Sequence, residues 1–479
     1  MLFTSSIFLV FSVLFFLIYW VFSRFSLLCQ NGWLLIGSYI FYGWTNWMLL
    51  FILVAVSSVN FLCGRRIINK SKIVKPILFF GILFNVGTLV YFKYANFFIE
   101  SFRDIFGPSH LENLSTAKLI IPLGISYYTF RNISYLLDIS REKYKPVKNW
   151  LVYYNYVSFF PSLLAGPIDR ANNFVPQLIL PRKFDKEGIK NGLRQFLWGL
   201  FKKIVIADNC AIVTDAIFDS SNAQSGSSIL VGLFIYTLQI YADFSGYSDM
   251  AIGTARMLGF NLVKNFNFPL YSKSIPEFWR KWHISLTSWL SEYIFTPLNI
   301  AFRNLGRLGI VLAIVINFTI CGIWHGANTN YIVFGFVHGL FFIPSVLKFP
   351  RLQDFLTRRY EFVNDLLGFL ATFLTVMFTF AIFKAKSITI AIDYYLLLFS
   401  RSIWTVPTFS SGKTHVAMVL LLCISLLVFE WYQRNREHGL TIHTLPKHRA
   451  WRWVIYSAIL FTICFLMPRS NSPFIYTNF

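Results

Sequence analysis

The segment Gly309-Ile310-Val311-Leu312-Ala313-Ile314-Val315-Ile316-Asn317-Phe318-Thr319-Ile320-Cys321-Gly322-Ile323-Trp324 is apolar at almost every position and carries no charge. With its flanks it approaches the ~20 residues that cross a bilayer. It reads as a spanning helix, because only helices and closed barrels pair all their backbone groups inside hydrocarbon. Its residues do not alternate in polarity, which argues against a barrel strand. Similar runs recur at Ser5 to Phe22, Gly32 to Trp44, Trp47 to Cys63, Pro76 to Phe92, Leu119 to Ile139, Tyr331 to Lys348, Phe362 to Phe383, Val416 to Trp431 and Trp451 to Met467. Of the 479 residues 56% are hydrophobic, 19% aromatic and 13% charged, too few polar groups to coat a soluble enzyme of this size. The fold class is an all-α polytopic membrane protein, with about 11–12 transmembrane helices expected besides re-entrant or interfacial ones.

The formal charge of +22 points to anionic lipid rather than nucleic acid, because the basic residues sit in short connectors between apolar runs. Arg65 to Lys75, Arg141 to Lys148, Arg303 to Arg307, Lys348 to Arg359 and Arg434 to Arg452 all fall on the cytoplasmic side if the N-terminus is outside. That parity requires two spans and a re-entrant hairpin in the middle of the chain. Arg24 follows the first apolar run, so no secretory leader is expected and the run is read as a retained helix. The six cysteines have neither disulfide nor zinc spacing and read as packing residues. No repeat or long linker divides the chain. It is read as one domain, 1–479, with N-terminal helices (1–118), a core (119–386) and C-terminal helices (387–479). Ile388 to Phe399 has amphipathic spacing and is expected on the outer surface.

Between Trp150 and Ile300 the pattern changes. Pro161, Pro167, Pro269, Pro276 and Pro297, with Gly166, Gly246 and Gly253, interrupt the apolar runs. Irregular backbone at membrane depth is tolerated only where protein or a watery cavity surrounds it. The functional core is therefore expected there.

Of the eight histidines, three have apolar or aromatic surroundings. His325 closes the run quoted above, in Gly322-Ile323-Trp324-His325-Gly326-Ala327-Asn328. An ionisable group there is a functional candidate, and a neutral imidazole suits proton removal from a hydroxyl near neutral pH. The competing reading is a small-x-x-x-small helix contact through Gly322 and Gly326, with His325 hydrogen-bonded beside it. Rise along the helix puts His325 roughly 22 Å beyond Ile310, in the outer half of the membrane and within reach of outer solvent. His283 lies in Phe278-Trp279-Arg280-Lys281-Trp282-His283-Ile284-Ser285, which reads as an amphipathic helix with Glu277 and Lys281 at i,i+4. An interfacial anchor helix is its competing reading. His338 reads as a hydrogen-bonded packing residue, and the other five as solvated.

Asp243 and Asp249, in Tyr241 to Asp249, could position a histidine, pair with Arg280 or Lys281, or change their own ionisation by desolvation. Arg131 and Asp138 share one helix face and carry the same ambiguity. No Walker A, HExxH, G-x-S-x-G or paired CxxC string occurs, so ATP hydrolysis, zinc proteolysis and α/β-hydrolase chemistry have no support. Cys321, on the same helix face as His325, reads as packing rather than nucleophile. No metal site and no bound cofactor are expected.

Together, Asn265-Phe266-Asn267-Phe268-Pro269 leading into Phe278 to Leu286, and Gly322-Ile323-Trp324-His325-Gly326, resemble the membrane-bound O-acyltransferases, nearest to the alginate O-acetyltransferase type. Pro122 to Phe130, Phe159-Phe160-Pro161 with Ala165 to Ile168, and Tyr241 to Gly253 support this in the expected order. The likeness runs from about Pro122 to about Lys386. It implies helices around a funnel or tunnel, with a cytoplasmic acyl thioester, expected to be acetyl-CoA, as donor. The acceptor implied is a hydroxyl of an extracytoplasmic polysaccharide or a partner acetyltransferase. By that resemblance His325 matches the essential histidine and would be the general base, and His283 would position the donor. Trp324, Asn328, Asp243, Trp279 and Trp282 would line the pocket, in a bacterial inner membrane. D-alanine transfer to teichoic acid is the alternative within the family. A transporter or flippase is the alternative outside it, but no inverted repeat of interrupted helices supports that.

Overall fold

The computed structural model describes residues 1–67, 73–106, 121–219, 225–326, 328–347, 361–468 and 474. All regular elements among them are helical. The principal helices are α1 (Ser6–Phe22), α2 (Leu27–Gly43), α3 (Met48–Arg66), α4 (Val74–Phe106), α5 (Ile125–Ser140), α6 (Trp150–Ser158), α7 (Ala171–Ile179), α8 (Lys186–Phe201), α9 (Asp208–Phe218) and α10 (Gly226–Met257). They continue as α11 (Ile275–Lys281), α12 (Ile284–Leu290), α13 (Gly306–His325), α14 (Thr329–Phe341), α15 (Glu361–Lys384), α16 (Ile388–Leu398), α17 (Lys413–Gln433) and α18 (Arg449–Leu466). Eight helices among the described residues are long and apolar enough to cross a membrane, and α1 and α16 are shorter apolar helices. The chain is therefore an all-α, multi-pass membrane protein. His110, Lys70, Lys72 and the basic stretch Lys348 to Arg359 lie outside the described residues.

Burial separates two kinds of apolar helix. The apolar window of α18 is only 6% buried, with Phe461 and Phe465 outward. Such a surface is stable against lipid, not water. The window of α10 is 83% buried. The expected span Leu119 to Ile139 appears as α5, covered by protein on nearly every side, which is what its polar Arg131, Asn132 and Asp138 require.

The chain packs as two compact units. One comprises Leu197–Asp249 with Lys264–Asn478. Here α13 and α14 pack backbone to backbone. A Cβ on Gly322 would stand 2.1 Å from the Tyr331 carbonyl oxygen, and one on Gly335 2.2 Å from that of Phe318. Between α8 and α9 the chain makes a π-helical turn, Lys202–Ala207. It turns two consecutive lysines onto carboxylates of α10. Lys202 Nζ meets Asp249 at 2.7 Å and donates to Ser245 Oγ at 2.9 Å. Lys203 Nζ meets Asp243 at 2.7 Å and Asp208 at 2.8 Å. Asp243 and Asp249 therefore pair with these lysines rather than with Arg280 or Lys281.

The other unit comprises Met1–Phe196 with Met250–Val263. Phe15, Phe41 and Phe160 form an aromatic core within it. Tyr19 donates to the Leu258 carbonyl, and Arg182 donates to Tyr19 and to Asn31 Oδ1. The irregular backbone after α6 is held by Arg131. Its guanidinium donates to the carbonyls of Tyr156, Val157 and Pro167 and to Ser162 Oγ. Arg131 is thus a clamp on broken backbone, not half of a pair with Asp138.

Removing that clamp strands buried carbonyls, each costing about 1–3 kcal/mol. Arg131→Met should lose on the order of 3–5 kcal/mol and lower the thermal midpoint of detergent-solubilised protein, with Arg131→Lys in between. An unchanged midpoint would contradict the clamp.

Candidate functional site

Both candidate histidines belong to the unit that holds α13 and α14, that of Leu197–Asp249 with Lys264–Asn478. His325 is the last residue of α13. Its imidazole lies 4.7 Å from the Trp324 ring and 5.1 Å, edge-on, from Phe383 of α15. Phe334 and Tyr331 of α14 complete the wall, at 6.2 and 6.4 Å. His325 is only 5% exposed, far less open than its expected reach to outer solvent implies. The glycine contact expected as the competing reading is present too. Gly322 abuts α14, and a Cβ on Gly326 would meet the Tyr331 ring at 2.8 Å. The contact and the histidine coexist, because the glycines seat the helix end that carries the imidazole.

The segment around His283 is not one helix. α11 ends at Lys281 and α12 starts at Ile284, with His283 between them at a positive φ of 43°. Asn265 and Asn267 impose this break. The Asn267 N–H donates to the Lys281 carbonyl at 2.9 Å, and the Ile284 N–H to that of Asn265 at 2.8 Å. The Asn265 side chain accepts from Ser285 Oγ at 2.9 Å and donates to Ser248 of α10 at 3.1 Å. Left-handed backbone at a residue other than glycine costs about 1–2 kcal/mol, and such strain concentrates at functional sites. The Glu277–Lys281 pair forms as the spacing predicts, at 2.7 Å.

The break turns His283 inward, where it is buried. Its ring is 4.6 Å from Phe244, immediately after the Lys203-paired Asp243, and 5.8 Å from Trp324. One indole, Trp324, therefore touches both imidazoles. The other predicted residues have partners of their own. Trp282 packs against Phe266 at 5.1 Å and Phe380 at 5.8 Å. Trp279 Nε1 donates to His338 Nδ1 at 3.3 Å, so His338 is the hydrogen-bonded packing residue its context suggests. Asn328 caps α14 and donates to the Lys386 carbonyl at 2.9 Å. Asn330 donates to that of Ala385. These two asparagines tie the chain after His325 to the end of α15.

Three contributors were not singled out from sequence. Phe383 and Phe244 flank the two imidazoles, and Phe474 stacks on Tyr247 at 4.8 Å and reaches Phe244 at 6.0 Å. The signal for Phe244 was its place beside Asp243. Phe474 carried none.

This arrangement holds two imidazoles on one aromatic surface, buried where a hydroxyl and an acyl group could be kept from water. The profile of the membrane-bound O-acyltransferase family matches residues 147–390, which include both histidines. A probable alginate O-acetylase of Pseudomonas syringae pv. tomato is 34% identical over 85% of this chain and 78% of its own. Its counterpart in Pseudomonas putida is 32% identical over 94% of each chain. The peptidoglycan O-acetyltransferase of Helicobacter pylori is 29% identical over 93% of this chain and 91% of its own.

Gly335→Ala forces α13 and α14 apart and should cost about 1–3 kcal/mol, lowering both the thermal midpoint and acyl transfer. Gly87→Ala, in α4 with no atom within 4 Å of the added carbon, should leave both unchanged. Equal effects of the two would contradict the role of the glycine contact.

Proposed function

The chain belongs to the membrane-bound O-acyltransferase family and is an O-acyltransferase, and from that premise we propose that it moves acetyl groups across the membrane towards hydroxyls of an extracytoplasmic polysaccharide. The donor is an acyl thioester presented from the cytoplasm, acetyl-CoA being the simplest candidate, and the membrane is the bacterial inner membrane. A partner acetyltransferase outside the membrane completes transfer to the polymer. The observation that supports this reading most is the sharing of Trp324 by His325 and His283 within the family-matched segment.

In the proposed reaction His325 takes the proton of the acceptor hydroxyl as its oxygen attacks the thioester carbonyl. The tetrahedral intermediate collapses, the C–S bond breaks, and the proton passes to the departing thiolate. Ester and free thiol result, and the imidazole ends neutral as it began. His283, held rigid by Asn265 and the rings of Phe244 and Trp324, positions the donor. The rings of Trp324, Phe383 and Phe334 exclude water that would otherwise hydrolyse the thioester. Alginate as acceptor is supported by the Pseudomonas relatives, and peptidoglycan as a second reading by the Helicobacter relative.

Acetyl-ester and D-alanyl-ester analysis of surface polysaccharide and peptidoglycan, in cells with and without the protein, tests both readings. Loss of acetyl esters from one polymer identifies the acceptor, and loss of D-alanyl esters instead would overturn the acetyl assignment. His325→Ala should reduce acetylation by about 10²–10⁴-fold, the usual contribution of a general base, with membrane insertion and thermal midpoint retained. Full activity in a well-folded His325→Ala protein would remove the general-base role.

A further inference from the structure

A groove of about 580 Å³ lies in the unit that contains α5, α6 and α7, along the turn Glu142–Asn149 and against Val152, Val175 and Ile179. Its shape comes from the backbone at the end of α5. Glu142 adopts a positive φ of 59°, and the N–H groups of Lys143 and Tyr144 both donate to the Asp138 carbonyl. The Val147 N–H donates to the Tyr135 hydroxyl at 3.0 Å. Those bonds fold the turn back over α6 and put Val147 and Val152, both buried, on the groove floor.

Charge and apolar surface are arranged together here. Lys145 and Lys148 line the groove, are exposed, and have no carboxylate within ion-pair distance among the described residues. Lys143 adds a third cation, and Glu142 is the one acidic residue of the lining. Beside this basic wall the surface is strongly apolar. Trp150 is 58% exposed, Ile179 56% and Leu180 62%. Exposed tryptophan next to lysine is the composition of a membrane interface, and a positive-inside loop alone requires no apolar floor.

We propose that this groove seats the phosphate headgroup of an anionic phospholipid, with Lys145 and Lys148 as its counter-charges and Ile179 and Trp150 against its acyl chain. A nucleotide would supply the same phosphate chemistry but would make no use of the apolar rim. The amphiphilic ligand uses both halves of the surface.

The test uses the full-length protein in nanodiscs of mixed phosphatidylglycerol and phosphatidylcholine, followed by native mass spectrometry of retained lipid. Each basic residue at an anionic surface is worth about fivefold in affinity. Lys145→Gln with Lys148→Gln should therefore cut phosphatidylglycerol retention by roughly thirtyfold, with phosphatidylcholine retention and the thermal midpoint unchanged. Equal phosphatidylglycerol retention by wild type and the double variant would overturn the proposal. Displacement of the retained lipid by micromolar coenzyme A would overturn it too, by assigning the groove to a nucleotide phosphate.

Discussion

Inside hydrocarbon or a protein core an unpaired polar group costs several kcal/mol, and this chain buries many polar groups. Their pairing organises the rest of the molecule. Lys202 and Lys203 are turned onto Asp249 and Asp243 by one π-helical turn. Buried pairs of this kind add little net stability, but each fixes the rotation of a helix. Fixing α10 through Asp243 also fixes Phe244, the next residue, against His283. A long-range charge pairing is thereby converted into the orientation of an aromatic wall.

The same economy governs the two imidazoles. α13 can approach α14 closely only because Gly322 and Gly335 leave their backbones bare, which is how membrane helices associate when no hydrophobic force drives them. That approach sets Phe334 and Tyr331 beside His325. Asn328 and Asn330 then bind carbonyls at the end of α15, where Phe383 closes the remaining side. His283 is held differently, by a helix break where Asn265 and Asn267 pair with the backbone of Ile284 and Lys281.

Fold class and the polar middle of the chain were legible in the sequence, because continuous apolar runs and their interruptions are local signals. The family likeness rested on strings around His283 and His325. What was not legible depended on partners far along the chain. The break at His283 is made by Asn265, so the string Phe278 to Ser285 alone reads as an unbroken helix. Lys202 and Lys203 were not matched to Asp243 and Asp249, since a π-helical turn leaves no periodic trace. Arg131 and Asp138 had a helix-face spacing that suggested a pair, whereas the stronger demand came from carbonyls of the irregular segment after α6. The burial of His325 was also missed, because Phe383 reaches it from another helix.

A buried imidazole that removes the acceptor proton must be neutral to act, so the pH dependence of acetyl transfer by purified protein reports it most directly. With thioester donor and hydroxyl acceptor in fixed excess, the rate should fall about tenfold per pH unit on the acid side of a single ionisation and level off above it. In His325→Gln the residual rate should lose that acid limb. A wild-type profile with no acid limb, or the same limb in His325→Gln, would contradict proton transfer by this residue.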